Sequence, residues 1–229
     1  MALYRHRPVF EIQKQWNGPT DFQYVVDVDF QLYSFQDYIK LTEQIIEKEI
    51  KQKIAEYNKF LEDNRGEDLV LGEESADHDV RVFTHQLYYN SIFIALYSFL
   101  EKKMYQLCRL AEEKQLIKLR DLSDEGIFKY YKYLKKVLLI NVDELNSEWE
   151  LLSKYNKLRN RLVHFPSNII DKSAENTNQI KLFQSIEHLT IIDNGTYIEF
   201  EIGDKQFLLT FCSTIEKFLH AIYYERHSF

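Results

Sequence analysis

The sequence predicts a mainly α-helical bundle with a small β-hairpin near its C-terminal end. The 229 residues include only 6 glycines and 3 prolines, so few positions interrupt long helices. Apolar residues recur at helical spacing through most of the chain and make up 45% of it, which is enough for a sizeable core. We therefore expect one compact domain over residues 1–229.

Residues 1–35 are predicted to form an N-terminal arm. Segment 22–30 alternates and is rich in valine, so it fits a short strand or an extended stretch. The first residues contain no apolar run of the signal-peptide kind. The longest near-apolar stretch, residues 91–100, is too short to cross a bilayer. These features favour a cytoplasmic protein without a membrane partner.

Residues 36–165 are predicted to contain the core helices. A first amphipathic helix covers about 36–61, and the acidic segment 63–79 reads as an exposed loop. A second helix, from about 80 to 114, has the broad apolar stripe of the most buried helix in a bundle. The residues that mark the faces of these two helices are Ile39, Ile46, Ile50, Ile54, Tyr57 and Leu61, and then Leu87, Phe93, Ile94, Leu96, Tyr97, Leu100, Met104, Leu107 and Ala111.

Two further core helices follow. Ser123 is a candidate N-cap for the first of them, because its hydroxyl can accept a hydrogen bond from the first turn. The second begins near Asp143 and reaches about His164, and Pro166 ends it, because a residue before proline avoids helical geometry. The first of these helices is predicted to carry Phe128, Tyr131, Leu134 and Leu138.

The C-terminal part is predicted to contain a β-hairpin at residues 186–203 and a terminal helix at 205–225. Asn194-Gly195 lies between two apolar runs and supplies the positive φ angles of a tight hairpin turn. Ile198, Phe200 and Ile202 form one apolar face of the second strand. Apolar residues at helical spacing follow as far as Tyr224.

Neither the cysteines nor the histidines predict a cofactor or metal site. Cys108 and Cys212 both lie in apolar helical patterns, as expected of reduced core residues. The histidines are scattered without metal-ligand spacing, and no glycine-rich phosphate loop occurs. We therefore expect a protein that works without metal or cofactor.

Charge is unevenly distributed along the chain, whose formal net charge is −7. Residues 37–79 include 13 acidic and 6 basic side chains, whereas residues 101–161 include 10 acidic and 14 basic ones. The middle of the chain could therefore offer a local positive surface to an anion. Ordinary solvated helix faces would give the same counts, and charge alone favours that simpler interpretation.

One short cluster, from Arg159 to His164, has residue types suited to catalysis. On a helical wheel an apolar arc of about 180° consists of Leu145, Trp149, Leu151, Leu152, Tyr155, Leu158, Leu162 and Val163. Arg159 falls within this arc, so its guanidinium must be paired, must snorkel, or must line a cleft or subunit interface. Such an arginine is well suited to receive a phosphate. His164 lies in the last helical turn, where an imidazole can act as general acid or base, and Asn160 could orient it or the substrate. A surface histidine, a snorkelling arginine and a capping asparagine would give the same pattern.

The helical bundle and this motif resemble the HEPN superfamily. A late helix ending in Arg-polar-x-x-x-His matches at Arg159, Asn160 and His164, and the helix around Glu101 resembles the core helix of such proteins. The resemblance covers about residues 31–164. It implies a HEPN-like fold and a metal-independent endoribonuclease that works as a homodimer with a composite cleft.

The resemblance also implies roles for these residues. His164 would act as base or acid while the RNA 2′-hydroxyl attacks the adjacent phosphate, and Arg159 would stabilise the developing charge. Such proteins are often toxins or antiviral defence effectors that a partner such as an antitoxin restrains. One subgroup has a modifiable tyrosine two residues after the histidine, where this chain has Pro166. Two alternatives stay open, namely a catalytically silent HEPN-like module that binds a protein or nucleotide, and an unrelated helical interaction domain.

Overall fold

The structure is a computed structural model that describes residues 28–63, 73–112, 115–165 and 167–224. Within these ranges the chain is mainly helical and carries a small antiparallel sheet, so the predicted fold class is confirmed. The helices are α1 (Phe30–Asp63), α2 (Glu73–Glu112), α3 (Gly126–Lys136), α4 (Asn146–His164), α5 (Thr177–Gln184) and α6 (Lys205–Tyr224). The strands are β1 (Ile169–Asp171), β2 (Leu189–Asp193) and β3 (Tyr197–Ile202).

The described chain divides into two compact units. The first unit comprises residues 28–35, 95–156 and 211–224, and the second comprises the described residues of 36–94 and 157–210. Each unit has its own set of buried apolar side chains. The expectation of one domain over the whole chain stays a prediction.

The first unit is built around buried aromatic side chains. The ring of Tyr155 lies 4.4 Å from that of Phe211, and both side chains are fully buried. Nearby in the unit, Tyr131 stacks on Trp149 with ring centroids 3.7 Å apart, and Phe218 packs against both. Offset and edge contacts of this kind add to the stabilisation that burial of apolar area provides. The apolar faces of α3, α4 and α6 thus meet in an aromatic core.

The second unit contains the sheet, in the order β1-β3-β2. The predicted face of β3 is confirmed, since Ile198, Phe200 and Ile202 are each 1% exposed. Phe183 of α5 packs edge-on against Phe200 at 4.9 Å. The sequence analysis predicted neither α5 nor β1, so the expected hairpin is the larger part of a three-stranded sheet.

The hairpin turn differs from the tight two-residue turn that Asn194-Gly195 predicted. The loop spans residues 194–196, because β2 ends at Asp193 and β3 begins at Tyr197. Among these residues only Gly195 has a positive φ, of 81°. The Gly195 N–H donates to the Asp193 carboxylate at 2.9 Å, which stabilises a three-residue loop with one left-handed position.

Three helix starts differ from prediction. Residues 22–27 lie outside the described chain, but Val28 and Asp29 form a π-helical turn and Phe30 begins α1, so the end of the proposed strand is helical. The terminal residues of the proposed arm, 30–35, therefore belong to a helix. Helix α2 begins at Glu73 within the predicted loop, which agrees with the preference of acidic residues for helix N-termini. Residues 64–72 lie outside the described chain.

Helix α3 begins three residues after the predicted N-cap Ser123. The N-cap position is Glu125, and the next residue, Gly126, has a φ of 55°, which residues with a side chain rarely adopt. A Cβ at Gly126 would also lie 3.0 Å from Oε1 of Glu101. This glycine is therefore the first residue of α3. It ends at Lys136, so Leu138 is buried outside the helix rather than on its face.

The buried faces of α1, α2 and α4 are narrower than their patterns predict. Ile39 and Ile50 are buried, but the other predicted α1 positions with described side chains are partly exposed. Leu87 on α2 and Val163 on α4 are exposed. Cys108 and Cys212 are buried free thiols, as predicted. Within the described ranges no helix is long and apolar enough to cross a membrane.

Candidate active site at the end of helix α4

The predicted motif lies in the last two turns of α4, within the second unit. Helix α4 ends at His164, as the sequence predicts, while Pro166 lies outside the described residues. Leu158, immediately before the motif, is fully buried and fixes the orientation of this part of the helix. Arg159, Asn160 and His164 are therefore held on a regular helix rather than on a loop.

Arg159 and Asn160 are brought together by the structure. Both side chains are half-buried, and Nη1 of Arg159 donates to Oδ1 of Asn160 at 3.0 Å. A guanidinium presents its N–H donors in a planar fork, a geometry that suits the oxygens of a phosphate. Arg159 is partly exposed although its predicted place is within the apolar arc. Val163 was assigned to the same arc and is exposed, so the arc is narrower near the end of α4.

His164 is exposed in the last turn of α4, and among the described residues no hydrogen bond or ion pair joins it to Arg159 or Asn160. Residues five positions apart on a helix are separated by about 7.5 Å along the axis and about 140° around it. The side chains of Arg159 and His164 consequently diverge within one copy of the chain. A phosphate that contacts both groups needs either an extended substrate or the motif of a second copy.

Arg161 is a third cation at this end of α4, and the sequence analysis gave it no role. Its guanidinium lies over the ring of Phe165, 3.9 Å from the centroid, and Nη2 donates to the carbonyl of Ile169. Burial lowers the pKa of Arg161 from its usual value. Arg161 thus connects the end of α4 to β1, and the Arg-x3-Phe spacing was the signal available in the sequence.

The chain segment that contains the motif is basic. Residues 157–170 include Lys157, Arg159 and Arg161 but no aspartate or glutamate. Asp171 follows at the end of β1, and its carboxylate accepts hydrogen bonds from the Ser173 N–H and from Asn176. Those hydrogen bonds lower the pKa of Asp171. The motif therefore lies in a segment suited to an anionic ligand.

Within the described residues, no group of three or more histidine, cysteine, aspartate or glutamate side chains is arranged to hold an ion. The chain matches no protein-family model, no curated protein and no solved structure at a significant level. The resemblance to HEPN proteins thus depends on the motif and on the helical architecture.

Proposed function

We propose that this protein is a metal-independent endoribonuclease of HEPN type, with Arg159 and His164 as catalytic residues and Asn160 as a positioning residue. The observation that carries the proposal is the pairing of a half-buried Arg159 with Asn160, with an exposed His164 in the last turn of the same helix. These groups can serve phosphate binding and proton transfer without an ion.

The reaction uses the RNA 2′-hydroxyl as nucleophile. His164 removes the proton of that hydroxyl or donates one to the leaving 5′-oxygen, according to its protonation state. Arg159 donates hydrogen bonds to the equatorial oxygens as negative charge develops on the phosphorane. The products are a 2′,3′-cyclic phosphate and a free 5′-hydroxyl. DNA lacks the nucleophile and is not cut.

The active unit in this proposal is a homodimer. Because Arg159 and His164 diverge on one helix, a cleft that uses Arg159 of one copy and His164 of the other satisfies the geometry. The resemblance further suggests a cytoplasmic toxin or antiviral defence effector that an antitoxin or another partner protein restrains. In that case expression of the wild-type chain alone should arrest growth, and His164→Ala should relieve the arrest.

The test measures cleavage of single-stranded RNA in the presence of a strong chelator. His164→Ala and Arg159→Ala should each lower the rate by about 10²-fold or more, the usual scale for losing a positioned acid–base or charge-stabilising group. Arg159→Lys should restore little, because an ammonium does not reproduce the planar fork. Lys181→Ala is the matched control, since Lys181 is an exposed cation on α5, outside the basic segment 157–170.

Mixing the two inactive variants tests the composite cleft. In a mixed dimer of Arg159→Ala and His164→Ala, one of the two clefts has both wild-type groups. The mixture should therefore regain about a quarter of the wild-type rate. Light scattering should report dimers for all variants. If the mixture stays inactive while each variant is folded, the composite cleft is wrong. If wild-type protein cuts no RNA, the silent binding module replaces the nuclease.

A further inference from the structure

A separate cavity in the first unit has the lining of a ligand site. It has a volume of about 560 Å³ and opens between the C-terminal part of α2, a 3-10 turn (Leu119–Asp121) and α3. Small-molecule sites occupy about 300–1,000 Å³, so one drug-sized or nucleotide-sized molecule fits. The lining residues are Tyr105, Arg109, Glu112, Lys118, Leu119, Arg120, Lys129 and Tyr130.

Among the described residues that line the cavity, Glu112 is the one carboxylate, and its oxygens are already used within the protein. The side chain is buried, with Oε1 accepting the Leu119 N–H at 2.7 Å and Oε2 paired with Nη1 of Arg109. The main-chain oxygen of Glu112 accepts from Nζ of Lys118 at 2.7 Å. A buried carboxylate with these partners supports the cavity wall and presents little negative charge to a ligand.

The four cations around Glu112 keep donors for an anion. Lys118 is bonded to a neutral carbonyl and retains its full charge. Among the described residues no carboxylate lies within ion-pair distance of Lys129, and Arg120 is 88% exposed with Asp121 at 3.9 Å, a loose contact. Arg109 is 56% exposed, so part of its guanidinium is accessible beside Glu112. The chain has a net charge of −7, whereas this cluster of four cations is locally positive.

Two tyrosine rings form the apolar part of the lining. Their centroids are 5.7 Å apart and their planes are inclined at 54°, so Tyr105 and Tyr130 do not stack on one another. Tyr105 is 44% exposed, which leaves ring surface available to a planar group. Burial, and secondarily Glu101, raises the pKa of Tyr130, so its phenol is neutral at pH 7 and does not repel an anion.

We propose that this cavity is a binding site for a mononucleotide, with the phosphate held by Lys118, Arg120 and Lys129 and the base packed on Tyr105 and Tyr130. The volume of this open cavity is sufficient for one nucleotide, the cations suit a phosphate, and the rings suit a base. The site lies in the first unit and involves no residue of the α4 motif. Its existence is therefore independent of the proposed nuclease activity.

Isothermal titration calorimetry of the full chain with AMP, adenosine and inorganic phosphate tests the site, with a chelator present. AMP should bind at least about tenfold more tightly than either adenosine or phosphate, because only AMP engages both halves of the cavity. A 5′-phosphorylated RNA oligonucleotide forms a further arm. If only the oligonucleotide binds, the cavity is part of an RNA-binding surface and the mononucleotide site is wrong.

Variants separate the two halves. Lys129→Gln and Arg120→Gln should each weaken AMP binding about tenfold and leave adenosine binding unchanged. Lys136→Gln is the matched control, since Lys136 is exposed on α3 outside the cavity. Tyr130→Leu should weaken both AMP and adenosine, whereas Tyr130→Phe should weaken neither.

Three results would overturn the proposal. They are the absence of AMP binding at millimolar concentration, equal affinity for AMP and inorganic phosphate, and equal effects of Lys129→Gln and Lys136→Gln. All variants replace partly or fully exposed groups, and a thermal melt of each confirms that it is folded. Two variants, Lys129→Gln and Arg120→Gln, probe the phosphate half of the cavity. If one of them does not fold, the other still tests the proposal.

Discussion

Glu112 holds the end of helix α2 to the 3-10 turn that follows, and its replacement should destabilise the fold in a graded way. The side chain is 6% exposed, and its Oε1 accepts the N–H of Leu119, itself 6% exposed, at 2.7 Å. Oε2 pairs with Arg109, whose side chain is 56% exposed. One oxygen thus satisfies a buried donor, and the other satisfies a donor that water can reach.

This difference in the solvent accessibility of the two donors sets how much free energy of unfolding each substitution should cost. In Glu112→Ala the Leu119 N–H stays buried without its acceptor, which costs about 1–3 kcal/mol. Loss of the one buried methylene that alanine lacks, Cγ, adds about 0.8 kcal/mol, so the total is about 2–4 kcal/mol. Glu112→Gln keeps an acceptor for Leu119 and the apolar stem. It loses only the ion pair with a largely solvated Arg109, worth about 1 kcal/mol or less.

Thermal unfolding followed by circular dichroism measures the effect. For a chain of this size each kcal/mol changes Tm by about 2–4 °C, so Glu112→Ala should lower Tm by about 4–16 °C and Glu112→Gln by about 4 °C or less. Glu150→Ala is the control, because Glu150 is exposed on α4, and it should change Tm by less than about 2 °C. Equal decreases for Ala and Gln would show that the bond to Leu119 contributes nothing.

Two further predictions concern the thiols and the end of α4. Burial raises the pKa of Cys108 and raises that of Cys212 to about 12, so iodoacetamide at pH 8 should modify neither thiol in the folded protein and both in urea, as counted by mass spectrometry. The pKa of each thiol is higher in the folded than in the unfolded state, so the thiols contribute their full stabilisation below about pH 9 and this contribution should decline as pH rises towards 12. A free energy of unfolding that increased over this pH range would contradict this sign. Arg161→Met should lower the free energy of unfolding by about 1–2 kcal/mol in urea denaturation, because the contact over Phe165 and the bond to the Ile169 carbonyl are both lost. An equal effect of Lys157→Met, an exposed cation one turn earlier, would remove any special role for Arg161.

The elements that the sequence predicted well have long or strict periodicity. Helix α6 begins at Lys205 and ends at Tyr224, within one residue of the predicted bounds, because apolar residues recur through five turns. Strand β3 alternates over its whole length, so its buried face could be named residue by residue. In both cases the apolar pattern is long enough to remain recognisable when one position departs from it.

The missed elements have too few buried residues to show a period. Strand β1 has three residues and buries only Ile170, and it exists because its backbone pairs with β3. Helix α5 spans eight residues, of which only Phe183 is buried, by contact with Phe200. Both elements are stabilised by partners distant in sequence, and local patterning does not encode such partners.

The candidate site was predictable in residue type but not in geometry. The helical wheel placed Arg159 beside apolar residues, and the structure leaves it half-buried, but the hydrogen bond to Asn160 depends on rotamers that a wheel does not specify.

The cavity around Glu112 was visible in the sequence only as an excess of basic residues over residues 101–161, which the charge counts alone assigned to solvated helix faces. Its residues come from α2, a 3-10 turn and α3, so only the fold brings them together.

Net charge constrains how either proposed site can attract an anion. A total of −7 repels nucleic acid and nucleotides at long range, so attraction must act within a Debye length of about 10 Å at 0.1 M salt. Each site meets this condition in its own way. Residues 157–170 contain no acidic side chain, and Glu112, the one carboxylate among the described residues of the cavity lining, is occupied by Arg109 and Leu119. The arrangement of charge, rather than its total, therefore decides where a phosphate can bind, and acidic residues outside these two places affect the rate of encounter more than the affinity.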